Sequence, residues 1–288
     1  MTIFEKIFGK ISFLWRGNKK KISKQHSGQL QVQQEKDGVV NIFNIQNVSI
    51  DQIRELTSFK PEKNSNLLGN AQKRFVTEQV MRQQNLASIV KKSSLEDVAN
   101  PNNLEKDWFL KWMDISQEVS RDEMQDILAK ILRGEVQRPG AFSARTLEVV
   151  RSLGLRELEI FRKFIALANY NACVLTLGKS ILTEFVFDKY DISYNDFLTV
   201  SEAGLVSASN SAIILSFKKD QRLQFNIGSK YVTKTATKES DKLPVSALLF
   251  TLVGKEIASL IEGENIKKDE YIKDLEIYLD SILCPPTP

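Results

Sequence analysis

Apolar residues recur at helical spacing along most of this chain. At the start, Ile3, Phe4, Ile7, Phe8, Ile11, Leu14 and Trp15 fall on one side of a helix, with Lys6, Lys10 and Arg16 toward the other side or its margins. Lys19, Lys20, Lys21 and Lys24 follow, and Glu5 is the only acid in the segment. Residues 1–24 therefore read as a basic amphipathic N-terminal helix. Residues 25–69 turn to Gln, Asn, Ser and Lys, interrupted by Gly28, Gly38 and Pro61. They read as a polar linker in which Val39–Ile45 and Val48–Ile50 are short strands or a pairing segment.

Helical periodicity resumes over 70–94, where Phe75, Val76, Leu86, Ile89 and Val90 give a broken apolar stripe that ends before Asn100-Pro101-Asn102. Residues 105–135 predict two helices. Trp108, Phe109, Trp112, Met113 and Ile115 make one apolar cluster, and Met124, Ile127, Leu128, Ile131 and Leu132 the next. Ser120 is read as a capping-box residue and Gly134 as the stop. Arg138-Pro139-Gly140 predicts a turn and Ser143 the N-cap of the following helix. Residues 155–169 are again amphipathic. From about 170 the rhythm alternates: an apolar run at 173–187, a short helix at 193–203, and strands at 211–217 and 222–227 joined by a turn at 218–221. A third strand is expected at 230–237, then helices at 245–262 and 268–283. The expected fold is mainly α with a small β element: a helical domain over 70–170, then a winged-helix-like α+β domain over 171–288.

Composition narrows the chemistry. The 288 residues are 42% hydrophobic and 26% charged, an ordinary globular mixture, and a net charge of +4 is too small to imply nucleic acid by itself. Cys173 and Cys284 make no disulfide framework, no apolar run reaches ~18 residues, and the N-terminus shows no cleavage-site pattern, so a cytoplasmic protein is expected, peripheral on the inner membrane if its first helix docks there. His26, the only histidine, lies in the linker. That leaves no imidazole for a catalytic triad and no Cys/His set for zinc. No phosphate loop or dinucleotide fingerprint is present. The remaining enzymatic reading is a metal-dependent nuclease using carboxylates such as Asp122, Glu123 and Asp126, but acids at helix starts usually serve the helix dipole. No catalytic residue, metal or cofactor is expected.

An ordered motif string runs through the middle of the chain: Arg82-Gln83-Gln84-Asn85 with Ile89, Asp107-Trp108, Val119-Ser120, Glu123-Met124-Gln125, Ile131-Leu132, Gly134-Glu135, Arg138-Pro139-Gly140, Phe142-Ser143, Arg145-Thr146-Leu147 and Glu159-Ile160-Phe161. In this it resembles a bacterial domain-of-unknown-function family, number 2806 in its series, over residues 70–265. The family is uncharacterised, so the resemblance carries over no site residues. It implies a bacterial protein of the kind found among mobile-element and phage-defence genes.

Three surfaces remain as candidates. Arg138, Ser143 and Arg145 surround a helix N-terminus, where backbone N–H groups favour an anion. The alternative is a capped turn whose arginines pair with Glu135 or Glu148. Lys218, Lys219 and Arg222 form a basic hairpin able to meet a nucleic-acid backbone, although the 193–203 helix that would read DNA carries Asp196 and Glu202 and no Lys or Arg. Phe4, Ile7, Phe8, Ile11, Leu14 and Trp15, with Lys19, Lys20 and Lys21, suit an anionic membrane surface. Packing on the chain's own core, self-assembly and a partner's groove compete for that segment. Trp108 and Trp112 share a helix face and read as core. The leading expectation is a non-enzymatic protein of bacterial stress or phage defence that binds an unidentified protein partner, with homo-oligomerisation open. The alternatives are a nucleic-acid-binding regulator and, last, the nuclease.

Overall fold

A computed structural model describes residues 67–95, 104–179, 185–209, 211–228 and 230–284. The helix expected at 1–24, and the linker up to residue 66, lie outside the described residues.

Five helices open the described chain: α1 (Leu67–Lys92), α2 (Lys106–Glu118), α3 (Asp122–Gln137), α4 (Ala144–Ser152) and α5 (Leu155–Leu167). The apolar spacing read from the sequence is what they bury. Leu86 and Ile89 of α1 meet Trp108, Trp112 and Ile115 of α2 and Ile127, Leu128, Ile131 and Leu132 of α3 in one cluster. Each buried indole also finds an acceptor: Trp108 Nε1 donates to the Phe142 carbonyl at 2.8 Å and Trp112 Nε1 to the Leu128 carbonyl at 3.1 Å. A polar seam fixes α1 against the α2–α3 junction. Asn85 donates to the Gln117 carbonyl and to the Ser120 hydroxyl, and Ser88 donates to Gln125 Oε1.

Two local expectations are corrected. Ser120 does not cap α3: the helix starts one residue later, Arg121 holds the N-cap position without a side-chain bond, and the Ser120 hydroxyl accepts from Asn85 instead. Gly134 does not end α3, which continues to Gln137. Its missing side chain makes room for the Phe142 ring, since a Cβ at 134 would stand 2.6 Å from that ring.

The second half contains β1 (Cys173–Leu175), a 3₁₀ helix (Val186–Tyr190), α6 (Tyr194–Glu202), β2 (Ser211–Phe217), β3 (Arg222–Ile227), β4 (Lys230–Thr235), β5 (Ser240–Leu249), α7 (Leu252–Ala258) and α8 (Lys268–Leu283). The strands form an antiparallel sheet in the order β1-β5-β2, and a β3–β4 hairpin. The hairpin expected between 211–217 and 222–227 is absent: β2 pairs with β5, Ile214 facing Pro244, and β3 pairs with β4, Phe225 facing Val232. The 218–221 turn is tied instead to the end of β4. Asp220 N–H donates to the Ala236 carbonyl and Ala236 N–H to the Gln221 carbonyl. Likewise 245–262 is not one helix. Val245, Ala247 and Leu248 are buried in β5, and α7 starts afresh at the Thr251 cap, whose hydroxyl accepts from Gly254 N–H. A Cβ on Gly254 would stand 1.9 Å from the Leu205 carbonyl oxygen, so this helix can approach only with glycine there.

Helices α6 and α8 fall where their periodicity put them. The described residues are mainly helical with small antiparallel sheets, a mixed α+β fold. Buried apolar side chains from Leu86 to Leu283 form one continuous cluster. Helix α5 lies at its middle, with Phe161 against Phe250 at 5.0 Å and Phe164 against Phe187 at 6.3 Å.

Candidate functional site

The turn before α4 is built around two carboxylates. Glu135, buried near the end of α3, accepts from Gly140 N–H at 2.6 Å and Phe142 N–H at 2.9 Å. Gly140 supplies the left-handed backbone (φ +82°) that the turn requires. Ser143 then caps α4, its hydroxyl accepting from Thr146 N–H. The position where an external anion would sit holds the carboxylate of Glu256 from α7. Its Oε2 accepts from Ser143 N–H at 2.8 Å, the Ser143 hydroxyl at 3.3 Å and the Thr146 hydroxyl at 2.6 Å. Converging N–H and O–H donors and the positive end of a helix dipole make a carboxylate the natural occupant.

Arg138 and Arg145 are exposed, and among the described residues neither forms an ion pair. Their expected partners are engaged elsewhere. Glu135 is committed to backbone, while Glu148 pairs with Lys111 at 2.9 Å, whose hydrogen bond holds that carboxyl below its ordinary pKa. Glu256 was not found from sequence because it lies 110 residues from Thr146 and no local pattern marks it.

The basic residues of the β2–β3 turn and the start of β3, Lys218, Lys219 and Arg222, are exposed and form no ion pair among the described residues. Further along the hairpin the charges are matched by α8: Lys230 pairs with Asp269 and Lys234 with Asp280. Burial, with the neighbouring Lys230 charge, lowers the pKa of Lys268 beside them.

Helix α6 opens with a complete capping box between Ser193 and Asp196. Phe197 and Val200 turn inward. Tyr194 and Leu198, one turn apart, stay 43% and 39% exposed, and Asn195 and Glu202 are exposed beside them. The Tyr194 ring leans on Phe185 at 5.4 Å and Phe197 at 5.7 Å, which fixes its direction while leaving its outer face in water.

An open cleft of about 500 Å³ lies between α5 and the segment before α8, lined by Leu158, Glu159, Arg162, Lys163, Asp191 and Glu264 among others. Its lining holds both acids and bases, and among the described residues no three His, Cys, Asp or Glu side chains gather as a metal site. Burial pushes the Cys173 thiol up to about 11, so it is not a thiolate near neutral pH. No described helix is long and apolar enough to cross a membrane. Phe4, Ile7, Phe8, Ile11, Leu14, Trp15, Lys19, Lys20 and Lys21 lie outside the described residues.

Residues 70–276 match the family model described as "Protein of unknown function (DUF2806)". No curated protein and no solved structure matches the chain.

Proposed function

The chain belongs to the DUF2806 family of proteins of unknown function, and on that footing we propose a non-enzymatic interaction protein that docks a protein partner on the exposed face of α6. The observation that carries this is the character of that face: Tyr194 and Leu198 exposed side by side, Glu202 near them, and no Lys or Arg in the helix. Interface cores are enriched in aromatic side chains and depleted of Lys, and an exposed tyrosine packed on its neighbours is a typical anchor.

The topology sharpens the reading. The order α5, β1, 3₁₀ helix, α6, then β2 and β5 in a sheet ordered β1-β5-β2, supports a winged-helix arrangement with the β3–β4 hairpin inserted between the wing strands. In it α6 takes the place of a recognition helix. A recognition helix for DNA needs cations for phosphates and side chains such as Arg for guanine. Glu202 repels a phosphate backbone, and Tyr194 and Leu198 favour an apolar groove or patch on a protein.

The protein acts in a bacterial stress or phage-defence system and is held at an anionic inner-membrane surface by residues 1–24. The apolar side of that segment and its trailing lysines, each worth ~1 kcal/mol near such a surface, support this part.

The test compares the tagged full chain with its Tyr194→Ala/Leu198→Glu variant, both purified from the native bacterium and quantified by mass spectrometry. At least one protein at near-stoichiometric yield is lost with the variant if α6 is the docking face. Identical co-purifying sets contradict it.

A further inference from the structure

Tyr170 and Tyr231 flank one residue of β3. Tyr170 N–H donates to the Asn226 carbonyl at 3.0 Å, and Tyr231 is the cross-strand partner of Asn226. The Tyr170 hydroxyl runs back along the strand to the Gln224 carbonyl at 3.4 Å. Both rings stand in solvent, 58% and 62% exposed. Tyr170 has φ +50° and Asn171 φ +53°, in the reverse turn closed by the Asn169–Cys173 bridge. Two successive left-handed residues suit Asn or Gly, and a tyrosine there costs energy without improving the turn. An aromatic ring held on strained backbone and left in water suggests a role other than packing.

From these rings the outward row of the hairpin continues through Gln224 and Thr233 to Arg222 and Thr235. Asn226 to Arg222 spans about 13 Å of extended strand. Beyond Arg222 stand Lys218 and Lys219. Charge on the hairpin is sorted. The lysines facing α8 are neutralised by Asp269 and Asp280, while Arg222, Lys218 and Lys219 are left without ion pairs among the described residues, with Asp220 offsetting one of them. Two aromatic faces at one end and unmatched cations at the other complement a chain that alternates bases with phosphates.

We propose that this hairpin face binds single-stranded nucleic acid. Bases stack on Tyr170 and Tyr231, and phosphates meet Arg222, Lys218 and Lys219. A duplex keeps its base faces stacked on each other, so the tyrosines select unpaired strands. Gln224, Thr233 and Thr235 line the path with neutral polar groups, which tolerate many sequences. The surface is separate from α6 and stands whether or not a protein docks there.

The test is fluorescence anisotropy of a labelled 12-nucleotide oligo(U), and of a duplex of equal length, with the full chain at 50 mM salt. Tyr170→Asn/Tyr231→Thr relieves the turn and keeps a strand-forming residue, so its melting temperature is expected to equal or exceed the wild type's. It binds oligo(U) at least about 10-fold more weakly, because two stacking partners are gone. The second variant, Lys218→Glu/Lys219→Glu/Arg222→Glu, changes only exposed side chains and flattens the salt dependence of binding by about two in slope. It keeps the test decisive if the tyrosine variant fails to fold. No oligo(U) binding by the wild type, or binding unchanged in a folded tyrosine variant or in the charge variant, overturns the proposal. The same is true if the duplex is held as tightly as oligo(U).

Discussion

The Thr146 hydroxyl donates a 2.6 Å hydrogen bond to Glu256, 110 residues further along the chain. Through it α7 of the second half completes the N-terminus of α4 in the first. Glu256→Ala leaves Ser143 N–H without that partner and removes the charge facing the helix dipole. A loss of about 1–3 kcal/mol is expected, read as a melting temperature lowered by several degrees. Glu256→Gln keeps an acceptor oxygen and loses less.

Gly134 and Phe142 give a prediction whose sign opposes helix propensity. Alanine in a helix interior normally gains about 1 kcal/mol over glycine. Here the added Cβ meets the buried Phe142 ring at 2.6 Å, so Gly134→Ala is expected to destabilise by about 1–2 kcal/mol. Gly134→Ala/Phe142→Leu, which removes the obstructing ring atoms, should recover part of that loss in thermal melts.

Acid should remove one contact between the 3₁₀ helix and α8. The Lys189 ammonium, 2.6 Å away, and then the Tyr190 hydroxyl hold the Asp274 carboxyl below its ordinary pKa. A folded-state pKa below the unfolded one means the stabilisation is complete above about pH 4 and is lost as pH falls through the depressed value. Asp274→Asn should therefore melt below the wild type at pH 7, and the difference should shrink toward pH 3. A gap that persists at pH 3 would assign the effect to packing.

The two cysteines should react differently. Cys173 is buried with its thiol pushed up to about 11, whereas Cys284 is partly exposed at the end of α8. Iodoacetamide at pH 8 is expected to label Cys284 in the native protein and to reach Cys173 only after unfolding, as peptide mass spectrometry would show.

Membrane docking by residues 1–24 makes its own prediction. The intact chain should pellet with vesicles containing anionic lipid and fail to pellet with neutral ones, while a chain lacking residues 1–24 stays in the supernatant. Equal pelleting of both chains would remove that part of the proposal.

Helices were readable from the sequence because their buried faces repeat locally: the Trp108–Ile115 and Met124–Leu132 sets point inward as spaced, and Ser143 caps α4 as its position suggests. Strand partners were not. Nothing near 211–217 says that its partner is 240–249 and that a complete hairpin intervenes. The apolar run around Val245–Val253 suits strand or helix alike, and only the Thr251 cap and the approach of Gly254 to Leu205 divide it. Glu256 at the α4 N-terminus and Tyr170 beside Asn226 are long-range meetings, invisible to periodicity. That α6 carries Asp196 and Glu202 and no Lys or Arg was plain in its residues. Its exposure needed the fold.

Site-specific photo-crosslinking tests docking through α6 most directly. A photoreactive phenylalanine analogue replaces Leu198 in the full chain, and in a control it replaces Ile277, which is 69% exposed on α8. Irradiation in living cells is expected to yield a discrete crosslinked protein from position 198 and none of the same mass from position 277. No crosslinked species from 198, or the same species from both positions, would contradict docking on this helix.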